Sequence, residues 1–496
     1  MYRSALVCLA SLLAAVSAPA QETPAQETPD QQARRLLEDG RTYRSQGKLK
    51  QAFDNFTIVV SSFPGTDSVG QALLEIGRYR LEVEGDLDKA RAAFEQVTKE
   101  HARSDAAPGA YYHMGLLTLA RAGSPADVED ALAQFLRVET LYPHSPWVPR
   151  ALHGAARAHR RAGRYAEAAD IDRRVSLEYP ASDAAAAAQF EIGQALALSG
   201  EPRQAMEEFQ QVRNRFPESE WAAPALERIT ILYRLFGGPR PVFSADAGFS
   251  LAAGEVLKNV KALAMAPGGG LWIASDKTKA AVMLDASAKI GGSLHAEDPR
   301  TLCIGPRGEI VFASASAVQI GAKDVRSFVT PPEKPGAEPQ PVHNILAAAV
   351  TAGGFVIVSD EDRNRVLRFD AKGKYLGTFP PGDTTTRSVT RMLVDPEGGI
   401  VTLDRGERLL RTWDENGKLL RSVGPLGIKR PNDVAIDPFR NLYVADEELG
   451  VLVFDSQGRL LTTIASPGLK ARAATLDASG AVLVYDGRSE RLLRFR

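Results

Sequence analysis

The apolar positions of this chain follow a helical period in the first half and a strand period in the second half. Up to residue 237, small and large apolar residues recur at helical spacing, which is typical of amphipathic helices that pack on one another. Beyond it, short apolar runs alternate with turns rich in Asp, Asn and Gly, as in β-hairpins. The Gly- and Pro-rich segment GGPRP at residues 237–241 marks the break. The pattern predicts an α-solenoid at residues 31–237 and β-structure at residues 238–496.

The helical half is a tandem repeat. Glycines between a first and a second helix stand at Gly47, Gly85, Gly123, Gly163 and Gly200, at intervals of 38, 38, 40 and 37 residues. Each second helix also pairs small and large residues, which lets neighbouring helices approach while the groove between them is filled. A period slightly above that of the commonest helix–turn–helix repeat predicts a tetratricopeptide-like solenoid of about five repeats. A final helix, Trp221–Phe236, is predicted to cap the stack.

The strand half is a repeat as well, and its unit is best seen in residues 395–423, which read as three strands joined by polar turns. The strand that follows the first turn begins at Leu271, Ile310, Phe355, Ile400, Leu442 and Val482, at intervals of 39, 45, 45, 42 and 40 residues. Intervals of this length suit four-stranded blades, so six units predict a six-bladed β-propeller. The fold class is therefore a multidomain α and β protein.

Two segments complete the predicted propeller. The sixth unit stops one strand short, and an incomplete blade would expose strand edges. We therefore expect the strand-like segment at residues 240–249 to close the ring by completing the last blade. The Pro-rich insertion at residues 331–341 is predicted to be an exposed loop between the second and third blades.

Two sets of motifs carry resemblances to known families. The segments YPHSPWVPRAL, YPASDAAAAAQFEIG and FPESEWAAPALERI resemble tetratricopeptide proteins of the bacterial cell envelope that assist outer-membrane assembly and cell division. The segments VLRFDAKGKYLGTF and RPNDVAIDPFRNLYVADEELGVLVFD resemble six-bladed propellers of the NHL type. The first resemblance covers about 200 residues and is specific for the repeat class rather than for one function.

The N-terminus predicts export. Arg3, the apolar run at residues 5–16 and the A-x-A sequence at residues 18–20 are typical of a secretory signal peptide, here residues 1–20. Residues 21–30 are predicted to be a disordered spacer. No later segment is apolar for long enough to cross a bilayer. We expect a periplasmic or cell-envelope protein, and a retained N-terminal anchor is the open alternative.

Composition narrows the possible chemistry. A net charge of −1 argues against nucleic-acid binding, because that needs a large cationic surface. Once the signal peptide is removed, Cys303 is the only cysteine, so an internal disulfide is excluded. Cys303 lies in an apolar run and is interpreted as a buried small hydrophobe rather than a nucleophile.

One stretch resembles an enzyme site. The sequence RPNDVAID around Asn432 and Asp433 is similar to lactonase propellers, whose channel metal is held by Glu, Asn and Asp. The positions aligned with this pair in the other blades carry no second carboxylate, whereas a hard cation needs several oxygen ligands. We therefore predict no metal, no cofactor and no enzymatic activity. A hydrolase or lyase at this pair is the alternative. Asp395, Asp437 and Asp477 are predicted to be turn residues.

Basic residues recur near the start of the innermost strand of several blades. These strand ends converge on one mouth of the channel, so they predict a cationic funnel for an anionic group. The alternative is a set of solvated or mutually paired charges. The candidate residues are Lys261, Arg300, Arg391, Arg430, Arg472 and, as the single acid, Asp433.

A second candidate site lies in the solenoid. Tyr111, Tyr112 and His113 lie on a first helix, where the concave groove of such repeats forms and could hold a peptide. Core packing is the alternative for Tyr112. The sequence predicts a non-enzymatic scaffold that binds protein or peptide partners through this groove. The propeller would bind a second partner or an anionic ligand, and a cell-wall glycan binder that uses the basic residues is a further alternative.

Overall fold

The computed structural model describes residues 27–239, 243–249, 251, 254–285, 287, 289–296, 298–332, 338–382 and 388–496. The predicted signal peptide, most of the predicted spacer and the centre of the Pro-rich insertion lie outside these residues. The chain divides into two compact units, one ending at Ala110 and one spanning Tyr111–Arg496. This division differs from the predicted limit at residue 237, because the later helices pack on the strands. The limits 31–237 and 238–496 stay a prediction.

Eleven α-helices follow one another in the described residues, and a six-bladed β-propeller follows them, which confirms the predicted fold class. The helices are α1 Pro29–Ser45, α2 Leu49–Ser62, α3 Ser68–Glu82, α4 Leu87–Glu100, α5 Ala107–Arg121, α6 Pro125–Leu141, α7 Val148–Arg161, α8 Tyr165–Glu178, α9 Ala185–Leu198, α10 Pro202–Arg215 and α11 Ala222–Phe236. Thr28 caps α1, which therefore begins two residues inside the predicted spacer. Among the described helices, none is long and apolar enough to cross a membrane.

The solenoid core repeats one contact, in which a Phe of the second helix fills the space above a Gly of the first helix. Phe94 on α4 is fully buried against Gly77 on α3. Phe209 on α10 is also fully buried, and a Cβ on Gly193 would lie 2.9 Å from its ring. Each glycine is needed because any side chain there would overlap the ring.

The fourth repeat departs from this rule. Position 172 lies 37 residues before Phe209, and position 153 lies 37 residues before Phe190. The fifth repeat packs these two phenylalanines edge to face, with centroids 5.1 Å apart. In the fourth repeat the corresponding residues are Asp172 and His153, and His153 Nδ1 lies 2.7 Å from Asp172 Oδ1. Burial raises the pKa of Asp172 to about 6, although His153 opposes the rise.

Twenty-five strands lie in the described part of the chain. They are β1 Val260–Met265, β2 Leu271–Ser275, β3 Ala280–Leu284, β4 Ile290–His295, β5 Pro299–Ile304, β6 Ile310–Ser314, β7 Val318–Ile320, β8 Asp324–Arg326, β9 Val329–Thr330, β10 Gln340–Pro341, β11 Ala348–Val350, β12 Val356–Asp360, β13 Arg365–Phe369, β14 Tyr375–Thr378, β15 Val389–Val394, β16 Ile400–Asp404, β17 Leu409–Trp413, β18 Leu419–Val423, β19 Pro431–Ile436, β20 Leu442–Asp446, β21 Gly450–Phe454, β22 Leu460–Ile464, β23 Ala471–Leu476, β24 Val482–Asp486 and β25 Arg491–Phe495.

The strands form six antiparallel blades. Five blades have four strands in chain order: β1–β4, β5–β8, β11–β14, β15–β18 and β19–β22. The second strand of each blade begins at the predicted residue except in the third blade, where it begins at Val356 instead of Phe355. Strands β9 and β10 pair at the base of the Pro-rich insertion, whose residues 333–337 lie outside the described part.

A segment from the beginning of the propeller pairs with the last strand of the sixth blade. Its own strands are β23–β25, and Ala245 forms an antiparallel bridge with Phe495. Ser244 and Arg496 exchange backbone hydrogen bonds of 2.9 and 3.0 Å. The Asp246 carboxylate also accepts a hydrogen bond of 2.9 Å from Arg494 Nε. Because the two edges of the ring pair here, neither edge is left open at this point.

A single type of turn recurs throughout the propeller. An Asp Oδ1 accepts hydrogen bonds from the backbone N–H groups two and four residues later, at distances between 2.8 Å and 3.0 Å. At Asp395 these distances are 2.9 Å from Glu397 N and 2.8 Å from Gly399 N. The same arrangement occurs at Asp285, Asp370, Asp414, Asp437, Asp455 and Asp477. The prediction that Asp395, Asp437 and Asp477 are turn residues is confirmed.

Within the unit Tyr111–Arg496, the later helices pack on the turns between the first and second strands of blades four to six. Gln194 Nε2 on α9 donates to Pro438 O at 2.6 Å, and the ring of Phe439 packs 6.2 Å from that of Phe209. Arg234 Nη1 on α11 donates to Ser479 O at 2.9 Å. The helix α11, which the sequence predicts as the end cap of the solenoid, thus packs on the propeller. Its apolar residues share one buried cluster with residues of the last blades.

The glycine–phenylalanine contact predicts the effect of Gly77→Ala. Overpacking costs about 1–3 kcal/mol, which exceeds the gain of about 1 kcal/mol in helix propensity. The new methyl would overlap the ring of Phe94, so the midpoint of chemical unfolding should fall. Gly65→Ala in the same unit is the control, since a Cβ there meets nothing within 4 Å. Equal midpoints for the two variants would contradict the prediction.

The buried Asp172 predicts a pH dependence. Its usual pKa of 3.8 rises to about 6 on folding, so between these values the folded state holds more protons. The free energy of unfolding therefore falls as pH rises through this window, by up to about 3 kcal/mol from this residue. Combining His153→Phe with Asp172→Phe should remove that contribution, which pH-dependent chemical denaturation measures.

The control for this pH effect is Asp170→Asn on the same helix, because the Asp170 side chain is 77% exposed. This control should follow the wild-type profile between pH 4 and 7, a range set by the usual and shifted pKa values of Asp172. A double variant that also follows the wild-type profile would show that Asp172 does not titrate in this window.

Candidate functional site

The candidate site is a cavity of about 380 Å³ at the end of the propeller channel where the first strands begin; we call it the mouth cavity. First-strand residues and the residues just before them contribute most of its wall: Asn259, Val260, Lys261, Arg300, Leu346, Thr390, Arg391, Asn432 and Arg472. Tyr485 near the end of β24 and the turns after second strands contribute the rest, the turn residues being Arg405, Gly487 and Glu490. The turns that contact the helices lie at the opposite ends of the first strands.

A β-bulge aims a residue of five first strands at the mouth cavity. The pairing with the second strand skips one residue near the start of β1, β5, β15, β19 and β23. A bulge releases its extra residue from the ladder and redirects the side chain. The skipped residues are Lys261, Arg300, Thr390, Asn432 and Arg472, and Leu346 holds the corresponding place before β11.

Side chains at the ends of second strands hold this geometry. Asp446 Oδ2 accepts hydrogen bonds of 2.8 Å from the backbone N–H groups of Lys429 and Arg430, just before β19. In the third blade Ser359 Oγ has the same role, accepting from Leu346 N at 3.0 Å and from Ala347 N. The start of each of these first strands is therefore tied to the end of its neighbour.

Arg391 follows the bulged residue of β15, so it lies one residue deeper in the channel than the bulged residues, and its side chain bridges the channel. It is 5% exposed, and its Nε lies 2.5 Å from Asp433 Oδ1. Its Nη1 also donates to Thr301 Oγ1, so one guanidinium joins blades two, four and five. Asp433 Oδ1 accepts from Val434 N at 2.8 Å, and its Oδ2 accepts from Ala474 N at 3.0 Å in blade six. Burial raises the pKa of Asp433, and Arg391 with the two amides opposes the rise.

The predicted cationic residues do not all share one environment. Lys261, Arg300, Arg391 and Arg472 line the mouth cavity. Arg430 does not line it; its side chain is 53% exposed and lies 3.9 Å from Glu447. The difference arises because Arg430 precedes β19, whereas Asn432 occupies the bulge of that strand.

The other ring cations are paired outside the cavity. Arg300 Nη2 lies 2.6 Å from Asp298, and Lys261 Nζ lies 3.6 Å from Asp276. Arg472 Nη2 lies 3.3 Å from Glu447 Oε1. All three cationic side chains stay between about one-third and one-half exposed. At such exposure ion pairs contribute little net stability.

Sequence comparison of the first strands could not find Arg405, Tyr485 and Glu490. Tyr485 lies near the end of β24, whereas Arg405 and Glu490 lie in turns after second strands. These positions reach the mouth cavity because the second strand runs antiparallel to the first. The signal that could have indicated them is the Asp that ends β12, β16, β20 and β24 immediately before these turns.

The solenoid candidates lie among packed aromatic rings. Tyr112 lies 5.5 Å from the ring of Trp147 and 6.0 Å from that of Phe135. Tyr111 lies 6.2 Å from Tyr142, and both Tyr111 and Tyr112 keep part of their surface exposed. His113 is only 7% exposed, so a peptide could contact the two tyrosines more readily than this histidine.

The hydrogen bonds of Asn432 and Asp433 show whether these residues could hold the metal of a lactonase-like site. Both Asp433 oxygens already accept hydrogen bonds, and its partner is a guanidinium, so a cation would have to displace Arg391. Asn432 Nδ2 donates to Ala471 O at 3.1 Å. In the described part of the chain, no group of three His, Cys, Asp or Glu side chains has metal-binding geometry. These residues therefore do not fit the metal of a lactonase-like site.

Cys303 is buried on β5, and its Sγ lies 3.4 Å from Ala348 O. Burial raises the pKa of its thiol to about 12. A thiol that stays protonated at neutral pH is a poor nucleophile, in agreement with its interpretation as a small core residue.

A second, larger cavity of about 670 Å³ lies between helix ends and propeller turns within the unit Tyr111–Arg496. Arg161 Nη1 donates to Glu397 O at 3.3 Å on one side of it. On the other side Arg421 Nη1 donates to Ser456 O at 2.9 Å, and burial lowers the pKa of Arg421 to about 10. We call this cavity the helix–blade cleft.

A family model matches part of the solenoid. The model for the tetratricopeptide repeat matches residues 71–104 and residues 187–219. The first match covers most of α3 with α4, and the second covers most of α9 with α10. Among curated proteins, none matches this chain significantly. The chain thus contains tetratricopeptide repeats.

Several solved structures match about half of this chain. A streptogramin B lyase has 11% sequence identity and a TM-score of 0.37, covering 51% of this chain and 97% of that chain. Virginiamycin B lyase from Staphylococcus aureus has 14% identity and a TM-score of 0.37, covering 49% and 82%. A gluconolactonase from Xanthomonas campestris has 14% identity and a TM-score of 0.37, covering 48% and 85%. Similarity at this level does not extend to activity.

The Arg391–Asp433 bridge predicts a strong energetic coupling. Arg391→Leu or Asp433→Leu should each destabilise the protein by about 3–5 kcal/mol, because each leaves an unpaired buried charge. The double variant should be more stable than the sum of the two effects predicts. Chemical unfolding of the full chain measures all three.

The matched control is the exposed pair Glu255 and Lys258, whose side chains are 57% and 49% exposed. Its double-mutant cycle should show little coupling, because water screens the charges. Additive effects of Arg391→Leu and Asp433→Leu would contradict the role of the bridge.

Proposed function

We propose that the protein is a non-enzymatic adaptor of the cell envelope. Its solenoid binds a protein or peptide partner, and its propeller binds a second partner or an anionic ligand. Tetratricopeptide repeats and a propeller are both architectures that present extended surfaces to partners, which supports the proposal. The envelope location rests on the signal-peptide pattern of residues 1–20 and on the resemblance of the repeats to envelope proteins.

One observation carries the proposal: the docking of the helices onto the blades. The contacts between Gln194 and Pro438 and between Arg234 and Ser479 join α9 and α11 to two different blades. Phe209, Phe439 and Tyr443 belong to one buried cluster that spans both structures. A shared apolar core is more rigid than a flexible linker, so a partner bound on α6–α11 and a ligand in the propeller are held at a fixed separation.

The helix–blade cleft adds a surface to which both structures contribute. Its walls carry cations and carboxylates, such as Arg161 opposite Glu415 at 3.9 Å. Leu420 adds an exposed apolar side chain at its edge. A cleft of mixed charge with an apolar edge suits a polar peptide segment, in agreement with an adaptor.

The rival function is a propeller hydrolase or lyase with its site at Asn432 and Asp433. Metal analysis of the purified full-length protein separates the two functions. The adaptor predicts no bound metal in stoichiometric amount. Stoichiometric Ca²⁺ or Zn²⁺ that is lost in both Asn432→Ala and Asp433→Ala would favour the enzyme. The use of two variants separates ligand loss from unfolding, because Asn432 makes a single side-chain hydrogen bond.

Site-specific photo-crosslinking in the cell tests the adaptor. A photoreactive phenylalanine analogue replaces Tyr111 in the full chain, because Tyr111 is a partly exposed groove candidate. We expect adducts of discrete mass that contain another envelope protein. The same analogue at Tyr233, which is 68% exposed on α11, is the control and should give few adducts. An equal lack of adducts at both positions would count against the solenoid as the partner-binding surface.

A further inference from the structure

The mouth cavity has a closed floor. Arg391 crosses the channel from blade four to Asp433 in blade five and Thr301 in blade two. These three side chains are at most 5% exposed. The neighbouring positions at the same depth are small, being Ala262 and Ala473, so the guanidinium has room to cross. The cavity is therefore a cup above this bridge rather than an open pore.

The rim of the cup is cationic. Lys261, Arg300 and Arg472 enter it from the bulges of three blades, and Arg405 enters from a turn of a fourth blade. Glu490 is the one acid among the described residues that line it. Charges of one sign around a concave surface raise the local potential and attract the opposite charge.

The acidic partners of these cations do not line the cup. Asp276, Asp298 and Glu447 hold Lys261, Arg300 and Arg472 from outside. Because the three cationic side chains are between about one-third and one-half exposed, these pairs contribute little net stability and the cations can exchange partners. Among the described residues, Arg405 has no ion-pair partner, so its guanidinium can bind an anion without losing an existing carboxylate partner.

We propose that the mouth cavity binds a low-molecular-weight organic anion or phosphate through Lys261, Arg300, Arg405 and Arg472. A volume of about 380 Å³ lies within the range of small-ligand pockets. Guanidinium groups bind carboxylate and phosphate oxygens in bidentate geometry, so three arginines favour a ligand with more than one oxyanion group. Asn259 and Asn432 add neutral polar groups to the wall.

This inference deepens the proposed function, since it names the ligand class of the propeller. The two remain separable by experiment, because the four cations lie in the propeller and Tyr111 lies in the solenoid. If no anion binds but crosslinking at position 111 is retained, the anion proposal is wrong and the adaptor proposal stands.

Isothermal titration calorimetry of the full chain with citrate and with pyrophosphate tests the proposal. Citrate represents the carboxylate source, pyrophosphate represents the phosphate source, and glucose is the uncharged control probe. We expect binding of at least one anion that weakens as salt increases, and no binding of glucose. The triple variant Lys261→Gln, Arg300→Gln and Arg472→Gln should lower the affinity by about tenfold or more.

The matched control variant is Lys429→Gln, Arg430→Gln and Arg459→Gln. It removes the same charge from exposed positions of blade five, none of which lines the cup. The control should bind like the wild type. Equal affinity losses in both triple variants would mean that only the overall charge matters, and this would overturn the site.

Two further outcomes decide the remaining cases. If the triple variant does not fold, the single variant Arg405→Gln replaces it and should weaken binding, because Arg405 has no structural ion pair among the described residues. If the wild type binds neither citrate nor pyrophosphate, the proposal is wrong. Binding of a uronic-acid oligosaccharide alone would overturn the small-anion assignment in favour of a glycan.

Discussion

The propeller depends on a carboxylate that bonds to its own turn. Seven times in the described chain, an Asp at the start of a turn accepts the N–H groups two and four residues later, as Asp395 does. Each such turn fixes where one strand ends and the next begins, and therefore which side chains face the core. Because the same turns in blades four to six meet α7, α9 and α11, this local interaction also positions these helices within the unit Tyr111–Arg496.

The features that the sequence predicts best are those that depend on residues close together in the chain. The turn aspartates, the second-strand starts and the helical spacing of Phe94 all follow from neighbours close in the chain, and the structure confirms the fold that they predict. The Arg391–Asp433 bridge was not predictable, since the alignment placed both residues at the mouth but could not show that one neutralises the other. Arg405 was missed because it reaches the cup from a turn rather than from a first strand.

The fourth helical repeat has a polar pair in its core where the fifth repeat has two aromatic rings. Asp172 and His153 occupy the places of two phenylalanines, and burial of the acid is unfavourable at neutral pH. Arg160, on the same helix as His153, lies 3.7 Å from Glu397 in a blade-four turn and raises the charge density around Asp172. The polar core of the fourth repeat therefore lies next to the helix–blade contact, and charged groups are packed there together with apolar ones.

The pairing that completes the sixth blade joins residues that are far apart in sequence. Asp246 meets Arg494 across 248 residues of sequence, so the ring closes only when the first and last segments of the propeller meet. Contacts this distant in sequence form slowly, because the entropy of closing the loop must be overcome first. The helices, by contrast, are built from local contacts and come earlier in the chain. The apolar face of α9–α11 can therefore form before the ring closes, and it offers the last blades a surface on which to pack.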